Sequence, residues 1–215
     1  MKAFVRLFFL FPGISGVSVL SAQVQLVEPP YRGDTSTYHS AWADFTGTTE
    51  VAPDFAGSLG TISELTGTSS VTGSQNIYNA AMASQFNLEF TVPAATDFLL
   101  LQVVTQGTEL DYGSVALSYD APVSGPTTLP YDLTESLGSE ALGGFGGSKV
   151  GTAFEWDVSE LDLDEFSLGF NAAGAHLSLD EVVLDYGTSQ TLSPIPEPAS
   201  FAWLVALAGF AGVLL

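Results

Sequence analysis

Carboxylates are the side chains this sequence supplies most freely for chemistry: 24 Asp and Glu stand against four Lys and Arg in 215 residues. Two groups lie close together in sequence, Asp162, Asp164 and Glu165, and then Asp180, Glu181 and Asp185. Hard oxygen ligands suit Ca²⁺, which takes about six to eight of them. Both groups read first as a solvated acidic rim, and a structural calcium ion held by Asp180, Glu181 and Asp185 is the alternative. Neither EF-hand spacing nor a glycine-rich nonapeptide repeat accompanies it. Zinc has less to work with: His39 and His176 are the only imidazoles, they lie far apart, and the chain has no cysteine.

Catalysis is not expected. A hydrolytic nucleophile needs a base beside it, and a glycosidase needs two carboxylates at a set separation. No G-x-S-x-G elbow marks any serine, and a pair can always be drawn from 24 acids, so their number argues nothing. Residues 143–149 (GGFGGSK) reverse the Lys–Ser order of a phosphate-binding loop and read as a flexible connection. Sugar binding has more support. Tyr31, Tyr38, His39 and Trp42 gather rings in one stretch, and an exposed ring offers an apolar face beside a polar edge. Tyr38 and Trp42 are the candidate contacts, although Trp42, like Trp156, reads first as a core residue at strand spacing.

The two ends differ from everything between them. Lys2 and Arg6 lead into an apolar run, and Ser21 and Ala22 precede Gln23, so residues 1–22 read as a secretory signal peptide. Pro12 and Gly13 interrupt the run, which argues against a stable span there. Residues 199–215 carry no charge over 17 positions. As a helix that stretch reaches ~25 Å, about enough to cross the apolar part of a bilayer. Just before it stand Pro196, Glu197 and Pro198, with Ala199 and Ser200 following.

Residues 194–215 thereby resemble the PEP-CTERM sorting signal of exported bacterial proteins. The resemblance implies two processing partners, a signal peptidase and an exosortase-type membrane enzyme. The second would recognise Pro196, Glu197 and Pro198 during transient membrane insertion, remove the apolar span and pass the protein to the cell surface or the exopolysaccharide matrix. The prolines hold such a motif extended and free of helix. The family pattern closes on a short Arg/Lys cluster that keeps the C-terminus cytoplasmic. None follows here.

Between these ends, residues 23–190 are about the size of one domain. Only Arg32 and Lys149 oppose the acids once Lys2 and Arg6 are set aside. A surface so acidic repels nucleic acid, which excludes that class of partner. Without disulfides, an exported domain must rest on its core.

Short apolar runs between Gly, Ser and Thr clusters predict antiparallel strands. Residues 86–92 (FNLEFTV) alternate as a half-buried strand does, whereas 98–105 (FLLLQVVT) are apolar on both faces. Residues 114–119 alternate again, and adjacency suggests that these three form a meander. Other expected strands are 23–27, 41–46 and, more weakly, 59–65; residues 76–82 are left between strand and helical turn. Residues 121–151 are expected as a long mobile crossover.

In residues 149–158, Phe154, Trp156 and Val158 should face inward and Glu155 and Asp157 outward; Phe166, Leu168 and Phe170 mark another strand. Within 175–186, Leu177 and Leu179 share one parity and Val182 and Leu184 the other, which a bulge near Asp180–Glu181 would reconcile.

Residues 155–185 resemble the C-terminal half of exported bacterial β-sandwich domains bearing the same tail. The stretch LSLDEVVLD looks like the last strand of galactose-binding-like and carbohydrate-binding jelly rolls. The expectation is an all-β, jelly-roll-like antiparallel sandwich between a signal peptide and a C-terminal hydrophobic helix. It would be non-enzymatic and without cofactor, a structural calcium ion being the alternative, and structural or adhesive at the surface or in the matrix. The alternative is a calcium-assisted carbohydrate-binding module that holds a polysaccharide.

Overall fold

The computed structural model describes residues 23–55, 58–91, 96–121, 125–143, 146–161 and 165–188. The signal-peptide and sorting-tail residues, including Pro196, Glu197 and Pro198, lie outside these, as do Asp162 and Asp164. Among the described residues there are strands and no helix. In chain order the strands are β1 Thr37–Trp42, β2 Thr61–Glu64, β3 Ser70–Val71, β4 Ile77–Asn79, β5 Gln85–Thr91 and β6 Phe98–Gly107. There follow β7 Leu110–Ala121, β8 Gly125–Pro130, β9 Leu133–Ala141, β10 Ser148–Asp157, β11 Glu165–Ala172 and β12 Leu177–Gly187.

They form two antiparallel sheets arranged as a sandwich. The larger has the order β3-β4-β12-β6-β10-β9, with β1 lying beside β4 on the same flank of β12; the smaller has the order β2-β5-β11-β7-β8. Their inner faces supply one core. Leu99, Leu101 and Val103 of β6, Phe154 and Trp156 of β10, and Leu184 and Tyr186 of β12 meet Phe86, Leu88, Leu117, Leu168 and Phe170. Buried indoles keep their polar edge satisfied: Trp156 Nε1 donates to the Leu129 carbonyl at 3.3 Å, which ties β10 to the end of β8 in the other sheet.

The expected meander does not form. β6 belongs to the larger sheet, while β5 and β7 flank β11 in the smaller one. The physical reason lies in the side-chain pattern. A strand apolar on both faces needs a sheet covered on both sides, whereas alternating strands suit a sheet with one wet face. The larger sheet meets that need: besides Leu99 and Leu101 on the inner face, Phe98, Leu100, Gln102 and Val104 on the outer face are also buried.

The cover is the segment 23–32; its residues 23–27, expected as a strand, form no ladder, and the segment runs across the outer face as a strap. Its Gln25 N–H donates to the Leu137 carbonyl. Val27 has no strand neighbour; the side chain of Gln102 takes that place, accepting from the Val27 N–H and donating to its C=O, both at 2.8 Å. Leu26 and Val27 pack on Leu100, Leu137 and Ala153. The facing glycines Gly138 and Gly151 leave the notch in which the strap begins. A Cβ on Gly151 would stand 2.7 Å from Val24 Cγ1, and one on Gly138 2.8 Å from the Gln23 carbonyl oxygen.

Other expectations shift in detail. Residues 121–151 are no long crossover, since β8 returns along β7 and β9 pairs with β10. Strand β1 lies earlier than 41–46, and residues 77–79 are strand. The expected bulge is present: the register of β12 against β6 shifts between Leu179 and Glu181. Leu177, Leu179, Val182 and Leu184 therefore all reach the core. Asp157 is exposed as expected, but Glu155 is buried, because the strap covers the face it points to.

Leu101→Ala should cost about 2–5 kcal/mol by opening a cavity in the shared core. Gly151→Ala should cost about 1–3 kcal/mol by pushing against the strap. Urea-unfolding midpoints, with the slope unchanged, check both.

Candidate functional site

Charge in this domain is arranged around β12. The bulge turns Asp180 toward the outer face, where its Oδ2 lies 2.6 Å from Lys149 Nζ of β10. The Oδ1 of the same side chain accepts from Gln106 Nε2 at 2.8 Å and Asn76 Nδ2 at 2.9 Å. Five residues along, Asp185 is 1% exposed. It accepts from Arg32 Nε and Nη2, both at 2.7 Å, in a two-pronged bond from the strap. His39 Nδ1 lies 3.2 Å from the same carboxylate. Glu181 is held above the usual glutamate range, first by burial and then by the charge of Asp180, with Lys149 opposing.

The candidate calcium set is not drawn together around one point. Asp180 and Asp185 each face a cation of the chain itself, Lys149 and Arg32, and the three carboxylates do not converge on one point. Among the described residues no three His, Cys, Asp or Glu side chains gather as metal ligands. His39 is engaged with Asp185, and His176 Nδ1 lies 2.9 Å from the Tyr78 hydroxyl, so the two imidazoles stay apart.

Of the two candidate sugar contacts, Trp42 is closed off in the core and Tyr38 is half-buried. Trp42 is 1% exposed, with its Nε1 donating to the Val51 carbonyl at 2.9 Å; it is a core side chain because residue 42 faces inward beside Val182. Tyr38 stacks on Tyr186 with ring centroids 5.4 Å apart. Burial and the neighbouring Tyr38 push the Tyr186 hydroxyl up to about 12. Tyr31, also buried, sets its ring edge-on to Phe98 at 4.6 Å.

The structure instead forms a groove that sequence spacing did not reveal. Alternation places Asn87, Glu89, Ser167, Gly169, Ala116 and Ser118 on the wet face of the smaller sheet, and strand register lines them up. One row crosses all five strands: Thr61, Glu89, Ser167, Ser118 and Thr128 are successive partners. On one side of it lie Asn87, Gly169 and Ala116; on the other Thr91 pairs with Glu165, and there the surface is hollowed. The depression has a volume of about 930 Å³ and is lined among others by Thr61, Glu89, Ser118, Asp120, Glu165 and Ser167. It is rich in short hydroxyls and carboxylates, and none of its lining residues is basic.

Such a surface can exchange hydrogen bonds with a polyhydroxylated ligand. Alternation alone could have assigned each of these residues to the wet face. Only the register, with β11 inserted between β5 and β7, makes them neighbours.

No family model matches the chain, and no curated protein matches it.

Removing the guanidinium should be far more costly than removing the ammonium. Arg32→Ala leaves a buried carboxylate unpaired and should cost about 3–5 kcal/mol. Lys149→Met, at a partly exposed pair, should cost about 1 kcal/mol or less. Arg32→Lys should recover only part of the loss, because an ammonium cannot make the two-pronged bond. Chemical denaturation of the variants measures all three.

Proposed function

We propose that this protein is an exported, non-enzymatic β-sandwich displayed at the cell surface or in an exopolysaccharide matrix, where its role is structural or adhesive. The observation that carries the reading is the tail: Pro196, Glu197 and Pro198 followed by 17 uncharged residues, matched by a secretory pattern over residues 1–22. The resemblance to PEP-CTERM signals supplies the route, which is export, signal-peptidase cleavage, transient membrane anchoring by the span, recognition by an exosortase-type enzyme, and release. A cysteine-free domain that closes the outer face of its larger sheet with its own strap suits an oxidising exterior, where disulfides are common but not required. We read the strand order, in which β4, β5, β6 and β7 alternate between the sheets, as jelly-roll-like.

Intact mass, taken separately on membrane and secreted fractions from the native host, tests this. The expected secreted species lacks residues 1–22 and everything after about Pro198. A chain still carrying Leu215 and found only in the membrane would sink the sorting reading and leave a tail anchor.

The groove favours a second reading, a carbohydrate-binding module. Its row of hydroxyls and Glu89 can hydrogen-bond a polysaccharide, and half-buried Tyr119 lines the same depression. Ser167→Trp would fill the groove from an outward position. If a polysaccharide binds there, affinity electrophoresis should show retention weakened by about tenfold or more, with the urea midpoint unchanged. Equal retention by wild type and variant would remove the groove from consideration.

A further inference from the structure

Sequence and packing meet at residue 23. The secretory pattern places the cut between Ala22 and Gln23, which makes Gln23 the first residue of the exported chain. The strap is seated from that same residue. Gly138, at a φ of 111°, and the facing Gly151 form the notch, and the Gln23 carbonyl and the Val24 side chain are what a Cβ at either glycine would strike. Gln25 then donates its N–H to the Leu137 carbonyl, and Gln102 brackets Val27. No residue at this end is spare. A chain shortened by one loses the contact at Gly138, and a chain shortened by two begins at the residue that holds Leu137.

The Gln23 side chain takes no part in that seat. The residue is exposed, and among the described residues its amide makes no hydrogen bond, whereas those of Gln102 and Gln106 are committed. Removing the signal peptide leaves an α-amine on the same residue. An α-amine titrates near enough to neutral pH for part of it to be unprotonated and nucleophilic. Its nitrogen can attack the side-chain Cδ of its own residue, where a new C–N bond closes a lactam. The bond from Cδ to the amide nitrogen breaks, and that nitrogen leaves as ammonia with the proton the amine gives up. No oxidant, reductant or second substrate is needed. The ring takes in only the amine and the exposed side chain, so the carbonyl keeps its place over Gly138 and Val24 its place against Gly151.

We propose that Gln23 is a modification site: it closes to pyroglutamate and ends the strap in a neutral lactam that aminopeptidases cannot grip. The site rests on the reading of residues 1–22 as a signal peptide. Stepwise trimming starts at a free α-amine, and the lactam removes both that amine and its charge. What the cap protects is the cover of the larger sheet, because Leu26 and Val27 shield Leu100, Leu137 and Ala153. Chain ends are where proteolysis concentrates, and here the end is also a fastening. Farther on, Arg32 is clamped to Asp185. Residues 23–27 have no charged anchor, so their hold depends on keeping every residue.

Mass spectrometry of the first peptide, taken from the secreted protein of the native host, tests the site. An isotope-labelled synthetic peptide of residues 23–28, open at Gln23 and added at lysis, corrects for any closure during work-up. Beyond that correction, the expected peptide begins at residue 23 and is lighter than its open form by one ammonia. An open Gln23, or a chain beginning at Val24 or later, would overturn the modification while leaving the export reading in place. A chain that begins upstream of residue 23 overturns both, so the two failures are told apart. Gln23→Ser, which cannot close the ring, checks the protection. Incubated with a broad aminopeptidase, the variant should shorten from its amino end and lose hydrogen-exchange protection at the Gln25 amide, while the wild type keeps its length. Equal survival of variant and wild type would overturn the role given to the lactam.

Discussion

The two-pronged bond between Arg32 and Asp185 is the constraint on which the larger sheet depends. A sheet whose middle strand is apolar on both sides needs a second cover, and in a sandwich only one comes from the partner sheet. Here the other comes from ten residues that form no strand ladder. They hold on through one backbone bond, one side-chain amide acting as a strand neighbour, a notch of two glycines, and the guanidinium at the end. Because Asp185 is almost fully buried, the bond is also what makes its charge tolerable there. Strap and carboxylate stabilise each other, and β12, between β6 and its two short neighbours, keeps its place in consequence.

How much of this was legible from the residues varies with the kind of information each one carried. Alternation in 86–92 and the parity change in 175–186 reported local geometry, and strand β5 and the bulge at Asp180 follow from them directly. The same reasoning could assign a face to each residue but no neighbour. So 98–105 read as a covered strand, which it is, yet its partners were misplaced, because a crossover between sheets leaves no mark on local periodicity. Glu155 shows the limit most plainly. Its parity was right, and outward would have meant wet had the strap been a strand. Trp42 shows the reverse: a tryptophan at strand spacing reads first as core, and its register position beside Val182 buries it. The hydroxyl row of the smaller sheet depends entirely on which strands lie side by side, so no spacing rule could have shown it. For the tail, residues 194–215, the sequence is the whole of the argument.

The placement of charge follows a simple division. Outside the signal region the chain has two basic residues, Arg32 and Lys149, and both are committed to carboxylates of β12. The wet face of the smaller sheet is left to hydroxyls, amides and acids. The domain thus has one face whose charges are internally matched and tied to the fold, and another whose polar groups face outward. Long-range repulsion from the unmatched acids keeps copies apart at low salt, and it weakens as ionic strength shortens the screening length.

Strand β8 carries that separation further by a means unrelated to charge. It is the last strand of the smaller sheet, and proline stands second and last in it: Pro126 beside Asp120 and Pro130 beside Ala116. An imino nitrogen has no hydrogen to offer, so a neighbouring chain finds interrupted donors where a continuing ladder would need them. The opposite edge is capped in its own way, with Val51 exchanging both backbone bonds with Ile62. A matrix packed with many identical domains is a setting in which β-rich proteins convert to fibres by adding edge to edge. With both margins of this sheet blunted, crowding can bring such domains into contact without turning them into templates for one another.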